Sequence, residues 1–130
     1  MGVEVFEAHI ESSEAAARQT RDLTRDRVGD IVSAAILADV LTVMTELVTN
    51  AVRHGEGSIV RVRVAVSSAL IRGEVENDGA ALVEPRELEA RHAGGLGLHI
   101  VSALVDGWSV VTEAGTTLVR FELGLASELV

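Results

Sequence analysis

The chain has 130 residues, with 11 arginine or lysine and 20 aspartate or glutamate side chains, a net charge of −9 and a pI near 4.8. An acidic surface repels phosphate backbones, which excludes nucleic acid as an expected partner. No cysteine is present, which excludes disulfides and thiolate metal sites, and the length favours a single domain over residues 1–130.

The N-terminus lacks a basic segment followed by an apolar run, and no stretch of the sequence is judged long enough to span a bilayer. These features predict a cytoplasmic protein that makes no membrane contact. Aromatic side chains make up 2% of the composition, so the core is expected to be aliphatic, and platforms for base stacking are implausible.

The chain begins with a predicted strand and a polar helix. Residues 3–11 alternate apolar and polar side chains with one slip, which is typical of an outer strand. Ser12 or Ser13 is a candidate N-cap for the helix that follows. Residues 14–27 contain good helix formers with charges of both signs, and this composition predicts a helix that faces solvent.

A second helix is predicted to begin near Val32 or Ala35 and to run to His54. Its sequence is largely apolar, which predicts a helix of the core. Gly55 and Gly57 are expected to end it, because glycine readily adopts the conformations found at helix C-termini.

Three polar side chains interrupt this apolar helix at a regular spacing. Glu46, Asn50 and His54 are four residues apart, so a helical repeat of about 3.6 residues places them along one stripe. Burying a carboxylate and an amide costs free energy unless something binds to them. The pattern therefore indicates a bound ligand.

The second half of the chain predicts two strands, a loop, a helix and a final hairpin. The expected bounds are residues 58–67 and 70–76 for the strands, 77–95 for the loop with one short helix near Glu87, 96–105 for the helix, and 108–112 and 117–125 for the hairpin. Helices clustered with an antiparallel-leaning sheet indicate an α+β fold. We therefore expect a two-layer sandwich in which about three helices cover one face of a mixed, mostly antiparallel sheet.

The strand over residues 70–76 is followed by a polar segment, Asn77-Asp78-Gly79. Alternation places Asn77 on the same face as Val75, toward the helices, and Asp78 on the opposite face. An ordinary turn explains the same residues, because Asp-Gly favours turns.

Glycines at two other points allow both a structural and a functional explanation. Gly95 and Gly97 precede the third helix, where glycine lets a backbone approach a ligand and where free N–H groups can bind an anion, although a tight turn explains them too. Gly115 and Thr116 lie in the predicted final turn, and a hairpin alone is enough to explain them.

Together these segments resemble the boxes of the Bergerat-fold ATPase superfamily, which includes gyrase-type ATPases, heat-shock chaperones, histidine kinases and anti-sigma-factor serine kinases. The four segments are Glu46 with Asn50 in a helix, Asn77-x-Gly79 at a strand end, Gly95-x-Gly97 before a helix, and Gly115-Thr116 before the last strand. The resemblance covers residues 3–125. The greatest similarity to the anti-sigma-factor kinases lies in residues 45–55, TELVTNAVRHG, and 97–101, GLHIV.

The resemblance implies a catalytic role for residues of the second helix. Asn50 would place its carboxamide oxygen on Mg²⁺, a cation that takes few protein ligands. Glu46 would orient or deprotonate the attacking hydroxyl, of a serine in a kinase or of water in an ATPase. Arg53 stands where many relatives carry a lysine that contacts phosphate.

The remaining boxes are implied to surround the nucleotide. Gly95 and Gly97, followed by Leu98, would let the loop wrap the phosphates, and Gly79 belongs to the strand-end box. Thr116 would share a water-linked network with the adenine edge.

Asn77 departs from the family pattern, because the strand-end box of the family begins with an aspartate whose carboxylate accepts a hydrogen bond from the adenine amino group. An amide oxygen can accept the same bond without charge assistance, at a cost of ~1 to 2 kcal/mol or about tenfold in affinity. Asparagine also donates, so guanine would be tolerated better than opposite aspartate. Asp78 could replace Asn77 only if the strand slipped by one residue.

The resemblance implies an ATP-dependent serine kinase that is also an anti-sigma factor. Such a protein binds a sigma factor and phosphorylates a serine of a STAS-type antagonist, with ATP and Mg²⁺ as cofactors, and members of this kind usually form homodimers. Two alternatives stay open. A binding module that holds nucleotide weakly would explain Asn77. The catalytic domain of a histidine kinase would need a helical segment carrying a phosphoacceptor histidine, and only a strand and one short helix precede the helix of Glu46.

Overall fold

The computed structural model describes residues 2–79 and 98–125. Its elements, in chain order, are β1 (Val3–Glu11), α1 (Ala16–Val28), α2 (Ala34–His54), β2 (Ile59–Val66), β3 (Leu70–Asp78), α3 (Leu98–Leu104), β4 (Gly107–Glu113) and β5 (Thr116–Gly124). The five predicted strands and the three longer predicted helices are confirmed, with ends displaced by two residues or fewer. The predicted short helix near Glu87 lies outside the described residues.

The strands form one sheet in the order β1-β2-β3-β5-β4, and every neighbouring pair is antiparallel. The predicted α+β architecture is confirmed, although the described sheet is fully antiparallel rather than mixed. Alternation along β2 explains how the sheet is covered on one face. Val60, Val62 and Val64 are buried toward the helices, while Arg61 and Arg63 lie on the other face.

The central helix, α2, packs against β2 and β3. The Ser33 hydroxyl caps it by accepting the N–H of Ile36 at 3.2 Å, and Gly55 follows its last residue as predicted. Its buried side chains are Ile36, Val40, Val43, Met44, Leu47, Val48 and Ala51. With 21 residues, α2 is the one described helix long and apolar enough to cross a bilayer, so the expectation that no stretch is long enough is wrong. Packing against the sheet and α1 explains its composition instead.

The first helix, α1, differs from its prediction in its cap and in its exposure. Ala15 occupies the N-cap position, and the Ser13 hydroxyl instead accepts the N–H of Ala15 at 3.2 Å. Far from facing solvent on all sides, α1 buries a stripe at four-residue spacing and packs against α2. The stripe consists of Ala16, Thr20, Thr24 and Val28. The pattern of apolar residues does not predict this stripe, because Thr20 and Thr24 are polar residue types.

The buried hydroxyl of Thr20 makes this stripe less stable than an apolar one would be. Thr20 is 0% exposed, and in the described structure its Oγ1 has no hydrogen-bond partner, whereas the Thr24 Oγ1 donates to the Thr20 carbonyl at 2.7 Å. Because an unpaired buried hydroxyl is costly, we expect Thr20→Val to raise the free energy of unfolding in urea by about 1 kcal/mol. The isosteric control Thr24→Val, which removes a paired hydroxyl, should give no gain. Equal gains would refute this explanation.

The face of the sheet opposite the helices carries a lattice of ion pairs. At its centre Glu74 is 9% exposed and lies between Arg63 at 3.1 Å and Arg120 at 2.6 Å. Arg61 pairs with Glu76 at 2.8 Å, and this hydrogen bond raises the pKa of the guanidinium above its usual value. These side chains help to line a shallow cavity of about 200 Å³. Because every charged residue around the cavity is paired, it offers no excess charge to a ligand.

Candidate functional site

The predicted polar stripe lies on α2 at the border of the core. Glu46 and Asn50 are half-buried, and the adjacent Leu47 and Val48 are buried. His54, the third member, is exposed at the last residue of the helix. A carboxylate and an amide are therefore held on a rigid element, partly screened from water, where one ligand can reach both.

Arg53 extends this polar region toward the end of α2. It is exposed and follows Asn50 by three residues, a spacing that makes the two side chains neighbours on a helix surface. A guanidinium in this position can reach an anion held near the Asn50 amide.

The structure brings Asn77 to the C-terminal end of α2. As alternation predicted, its side chain lies on the helix-facing side of β3, so close to Gly55 that a Cβ at that glycine would collide with the Asn77 amide. The Asn77 Nδ2 donates to the Asp78 carbonyl at 2.8 Å. Gly55 therefore has a second role besides the predicted one of ending the helix, which is to leave room for this amide.

Asp78 lies on the opposite face of the sheet, also as predicted. Its carboxylate accepts a hydrogen bond from Arg61 at 3.2 Å. The strand has not slipped, because Val75 remains on the helix-facing side at 1% exposure. The one arrangement in which Asp78 would replace Asn77 is therefore not adopted.

Hydrogen bonds join three segments around Asn77. The Glu56 N–H donates to the Asp78 carbonyl at 2.9 Å, and the Gly79 N–H donates to the Gly115 carbonyl at 2.8 Å. Gly79 has a φ of 121°, a backbone conformation that residues with side chains rarely adopt. The end of α2, the end of β3 and the turn between β4 and β5 consequently form one frame.

Thr117, rather than Thr116, is the threonine on the face of Asn77. In the register of β3 and β5, Thr117 lies directly opposite Asn77, and its hydroxyl donates to the Gly79 carbonyl at 2.6 Å. Thr116 lies opposite Asp78 and donates to a carbonyl within the turn at 2.9 Å. The water-linked role that the resemblance implies for Thr116 stays a prediction, and Thr117 is a second hydroxyl, on the face of Asn77, that the sequence did not single out. A step of one residue along a strand exchanges the two faces.

Gly95 and Gly97 lie outside the described residues, as does the side chain of Leu98. The helix that begins at Leu98 is described: α3 packs against α2, and its Val101 is fully buried. The glycine segment therefore leads into a helix whose position is fixed beside α2.

Within residues 2–79 and 98–125, no three or more histidine, aspartate or glutamate side chains converge in a way that could hold a metal ion. The Asn50 carboxamide oxygen, on the half-buried stripe of α2, is an oxygen donor of the kind that Mg²⁺ accepts beside waters and phosphate oxygens.

Residues 6–123 match the histidine kinase-like ATPase domain family, and the chain belongs to that family. No curated protein matches the chain in sequence.

Solved structures share the fold. The RsbU and RsbW domains of Rv1364c from Mycobacterium tuberculosis superpose with a TM-score of 0.70 at 22% identity, over 91% of this chain and 32% of that one. The histidine kinase domain of the blue-light activated kinase EL346 from Erythrobacter litoralis has a TM-score of 0.59 at 21% identity, over 88% and 61%. The Acinetobacter baumannii histidine kinase AdeS has a TM-score of 0.57 at 14% identity, over 95% and 69%. The chain thus spans about a third of the first of these proteins.

Proposed function

We propose that this protein is a cytoplasmic ATP-dependent serine kinase and anti-sigma factor. It would phosphorylate a serine of a STAS-type antagonist and would bind a sigma factor. The family assignment supports ATP binding. The sequence similarity of residues 45–55 to anti-sigma-factor kinases supports the narrower activity, and the fold shared with a chain that contains an RsbW domain is compatible with it.

One observation carries the proposal: an acid and an amide, Glu46 and Asn50, are half-buried on the main core helix, and the end of that helix meets Asn77. A helix that served only the core would be expected to carry apolar residues at half-buried positions. A nucleotide lying along α2 would contact both polar groups.

Asn50 and Glu46 would have separate tasks in this reaction. The Asn50 carboxamide oxygen would be the protein ligand of Mg²⁺, which when bound neutralises charge on the phosphates. Glu46, one turn earlier on the same helix, would orient the serine hydroxyl and accept its proton as the oxygen attacks the γ-phosphate. Arg53 would add positive charge on the phosphate side.

Asn77 would select adenine in spite of the missing carboxylate. Its Nδ2 already donates to the Asp78 carbonyl, which is also bound by the Glu56 N–H, so the amide orientation is fixed from the protein side. The Oδ1 atom then remains as an acceptor. An acceptor suits the amino group of adenine and opposes the O6 atom of guanine, so we expect ATP to bind better than GTP, contrary to the tolerance for guanine that the sequence suggested.

Replacing Asn77 by aspartate should raise ATP affinity about tenfold, because a carboxylate accepts the amino hydrogen bond more strongly. The same change removes the donor to the Asp78 carbonyl, so the nucleotide-free protein should lose about 1 kcal/mol of stability. Isothermal calorimetry and urea denaturation measure the two effects. The adjacent substitution Asp78→Asn, on the other face, should leave ATP affinity unchanged. If Asp78→Asn changes affinity as much as Asn77→Asp, the assignment of the base contact is wrong.

The kinase proposal is tested in two stages. Mg-ATP at about 100 times its dissociation constant should stabilise the protein by ~2.7 kcal/mol in a thermal titration. Purified protein with labelled Mg-ATP and STAS-domain proteins of the same organism should then transfer label to serine. Release of free phosphate without labelled protein would indicate an ATPase instead.

A non-catalytic binding module is the second candidate, and Asn77 is the observation that favours it. Such a module would show no stabilisation by millimolar Mg-ATP, and Asn77→Asp would not restore it. It would still bind its protein partner, so pull-down of a sigma factor without nucleotide dependence would support the module.

A further inference from the structure

Gly55, which follows the last residue of α2, is a glycine that its own backbone conformation does not require. Its φ of −81° and ψ of 170° lie in the extended region that any residue adopts. Gly79 and Gly115, in contrast, have φ values of 121° and 81°, which favour glycine. The reason for a glycine at residue 55 therefore lies in the space around it.

A Cβ at Gly55 would collide with two groups. One is the carbonyl oxygen of Ala51, at 2.5 Å, and the other is the side-chain amide of Asn77, whose Nδ2 and Cγ both lie too close. The collision with a carbonyl of the last helical turn recurs at Gly29, which ends α1, where a Cβ would lie 2.6 Å from the Arg25 oxygen. The collision with an amide distinguishes Gly55 from Gly29.

The Asn77 amide lies in a slot between Gly55 and the carbonyl of Asp78. Its Nδ2 donates to this carbonyl at 2.8 Å, and the Glu56 N–H donates to the same oxygen at 2.9 Å, which holds residues 55–57 against the end of β3. Only the amide nitrogen can donate to a carbonyl, so Nδ2 must face Asp78. The Oδ1 atom is consequently the end of the amide that can contact a ligand.

The two ends of an asparagine amide recognise opposite groups, because the oxygen accepts a hydrogen bond and the nitrogen donates one. We propose that Gly55 is a specificity-determining residue of the nucleotide site. By leaving the slot beside the Asp78 carbonyl free for the Asn77 amide, it keeps an acceptor directed at the group on C6 of the purine. This inference rests on the base contact assigned to Asn77 in the proposed function, and it is independent of the catalytic role of Glu46.

A methyl group at residue 55 would fill the slot. The Asn77 amide would have to rotate out of it and lose its hydrogen bond to the Asp78 carbonyl, and an amide without that bond can offer either end to a base. The site would then bind an amino group and a carbonyl group at C6 with similar affinity. A purine that carries only hydrogen at C6 makes no hydrogen bond at that position, so its affinity should not change.

The test uses three nucleoside triphosphates that differ at C6: ATP with an amino group, purine riboside triphosphate with hydrogen, and ITP with a carbonyl group. Dissociation constants are measured by calorimetry in the presence of Mg²⁺. Wild type should bind ATP about tenfold more tightly than purine riboside triphosphate, and ITP most weakly. In Gly55→Ala the preference for ATP over both should fall about tenfold, with the affinity for purine riboside triphosphate unchanged.

Gly57→Ala is the matched control from the same loop. A Cβ at Gly57 would lie 2.8 Å from the Asp78 Oδ2, so this substitution crowds the other face of the sheet and not the Asn77 amide. It should preserve the wild-type order of the three nucleotides. General damage to the site lowers all three affinities together, whereas a lost amide orientation changes their order.

The outcomes separate this inference from the proposed function. A wild type that binds none of the three nucleotides would overturn both. A wild type that prefers ATP while Gly55→Ala keeps the same preference would overturn the role of Gly55 alone, as would equal changes in Gly55→Ala and Gly57→Ala.

Circular dichroism establishes whether Gly55→Ala is folded. If it is not, the double variant Gly55→Ala/Asn77→Ala decides, because removal of the amide leaves only the collision with the Ala51 carbonyl. Recovery of folding would support the proposal. A double variant that stays unfolded would assign Gly55 to the ending of α2 and overturn it.

Discussion

Replacing Glu46 by glutamine is expected to reduce phosphoryl transfer to the antagonist at least about 100-fold while leaving ATP binding intact. Glutamine has the size of glutamate and can still form hydrogen bonds from its half-buried position on α2, but it cannot accept the serine proton. The rate is measured as labelled phosphate on serine, and binding is measured by calorimetry on the same preparations.

Asp39→Asn is the matched control for this experiment. It removes a carboxylate from the same helix, about two turns before Glu46, at a residue that is also half-buried. This variant should transfer phosphate at the wild-type rate. Transfer that survives in Glu46→Gln would exclude Glu46 as the base, and loss of ATP binding would instead assign it to nucleotide binding.

Asn50→Ala should behave differently from Glu46→Gln, because its proposed partner is the metal and not the serine. The metal-dependent part of ATP affinity, measured as the difference between titrations with and without Mg²⁺, is expected to disappear. Affinity without Mg²⁺ should change little. If Asn50→Ala lowered ATP affinity equally with and without Mg²⁺, Asn50 would act by maintaining the structure of α2 and not by binding the metal.

The fold could be predicted from the sequence because its strongest signals are local. The alternation of valine and arginine along β2 determined which side chains face the helices, and the same alternation placed Asn77 and Asp78 on opposite faces. The buried stripe on α1 was not predicted, because Thr20 and Thr24 are polar residues that are nevertheless buried in the structure.

The polar stripe on α2 could be predicted for the same reason. Helical spacing alone places Glu46 and Asn50 on one stripe, whereas the faces on which Thr116 and Thr117 lie depend on the register of a hairpin whose turn is formed by Ala114 and Gly115, both with positive φ. That register is a non-local property, since it depends on pairing between β3 and β5. Contacts that form because a glycine has no side chain, such as that of Asn77 with Gly55, produce no periodic pattern in the sequence.

Gly73 illustrates this second kind of contact at the centre of the core. It lies opposite Phe121 in the register of β3 and β5, and a Cβ at Gly73 would collide with ring atoms Cε2 and Cζ of Phe121. Phe121 is 0% exposed, and the Met44 sulfur of α2 is 3.1 Å from the same Cβ position. The ring is enclosed in the core, so moving it away from a Cβ at Gly73 would displace neighbouring side chains.

Gly73→Ala is accordingly expected to lower the free energy of unfolding by about 3 kcal/mol in urea denaturation, the upper end of what overpacking costs. Gly107→Ala is the control, because a Cβ there meets nothing within 4 Å, and it should be neutral or slightly stabilising. In a double-mutant cycle, Phe121→Leu should remove most of the cost of Gly73→Ala, since the ring is its cause. Additive losses would show that the strain lies elsewhere. Because β3 also carries Asn77, a displaced strand would weaken ATP binding in Gly73→Ala and leave it unchanged in Gly107→Ala.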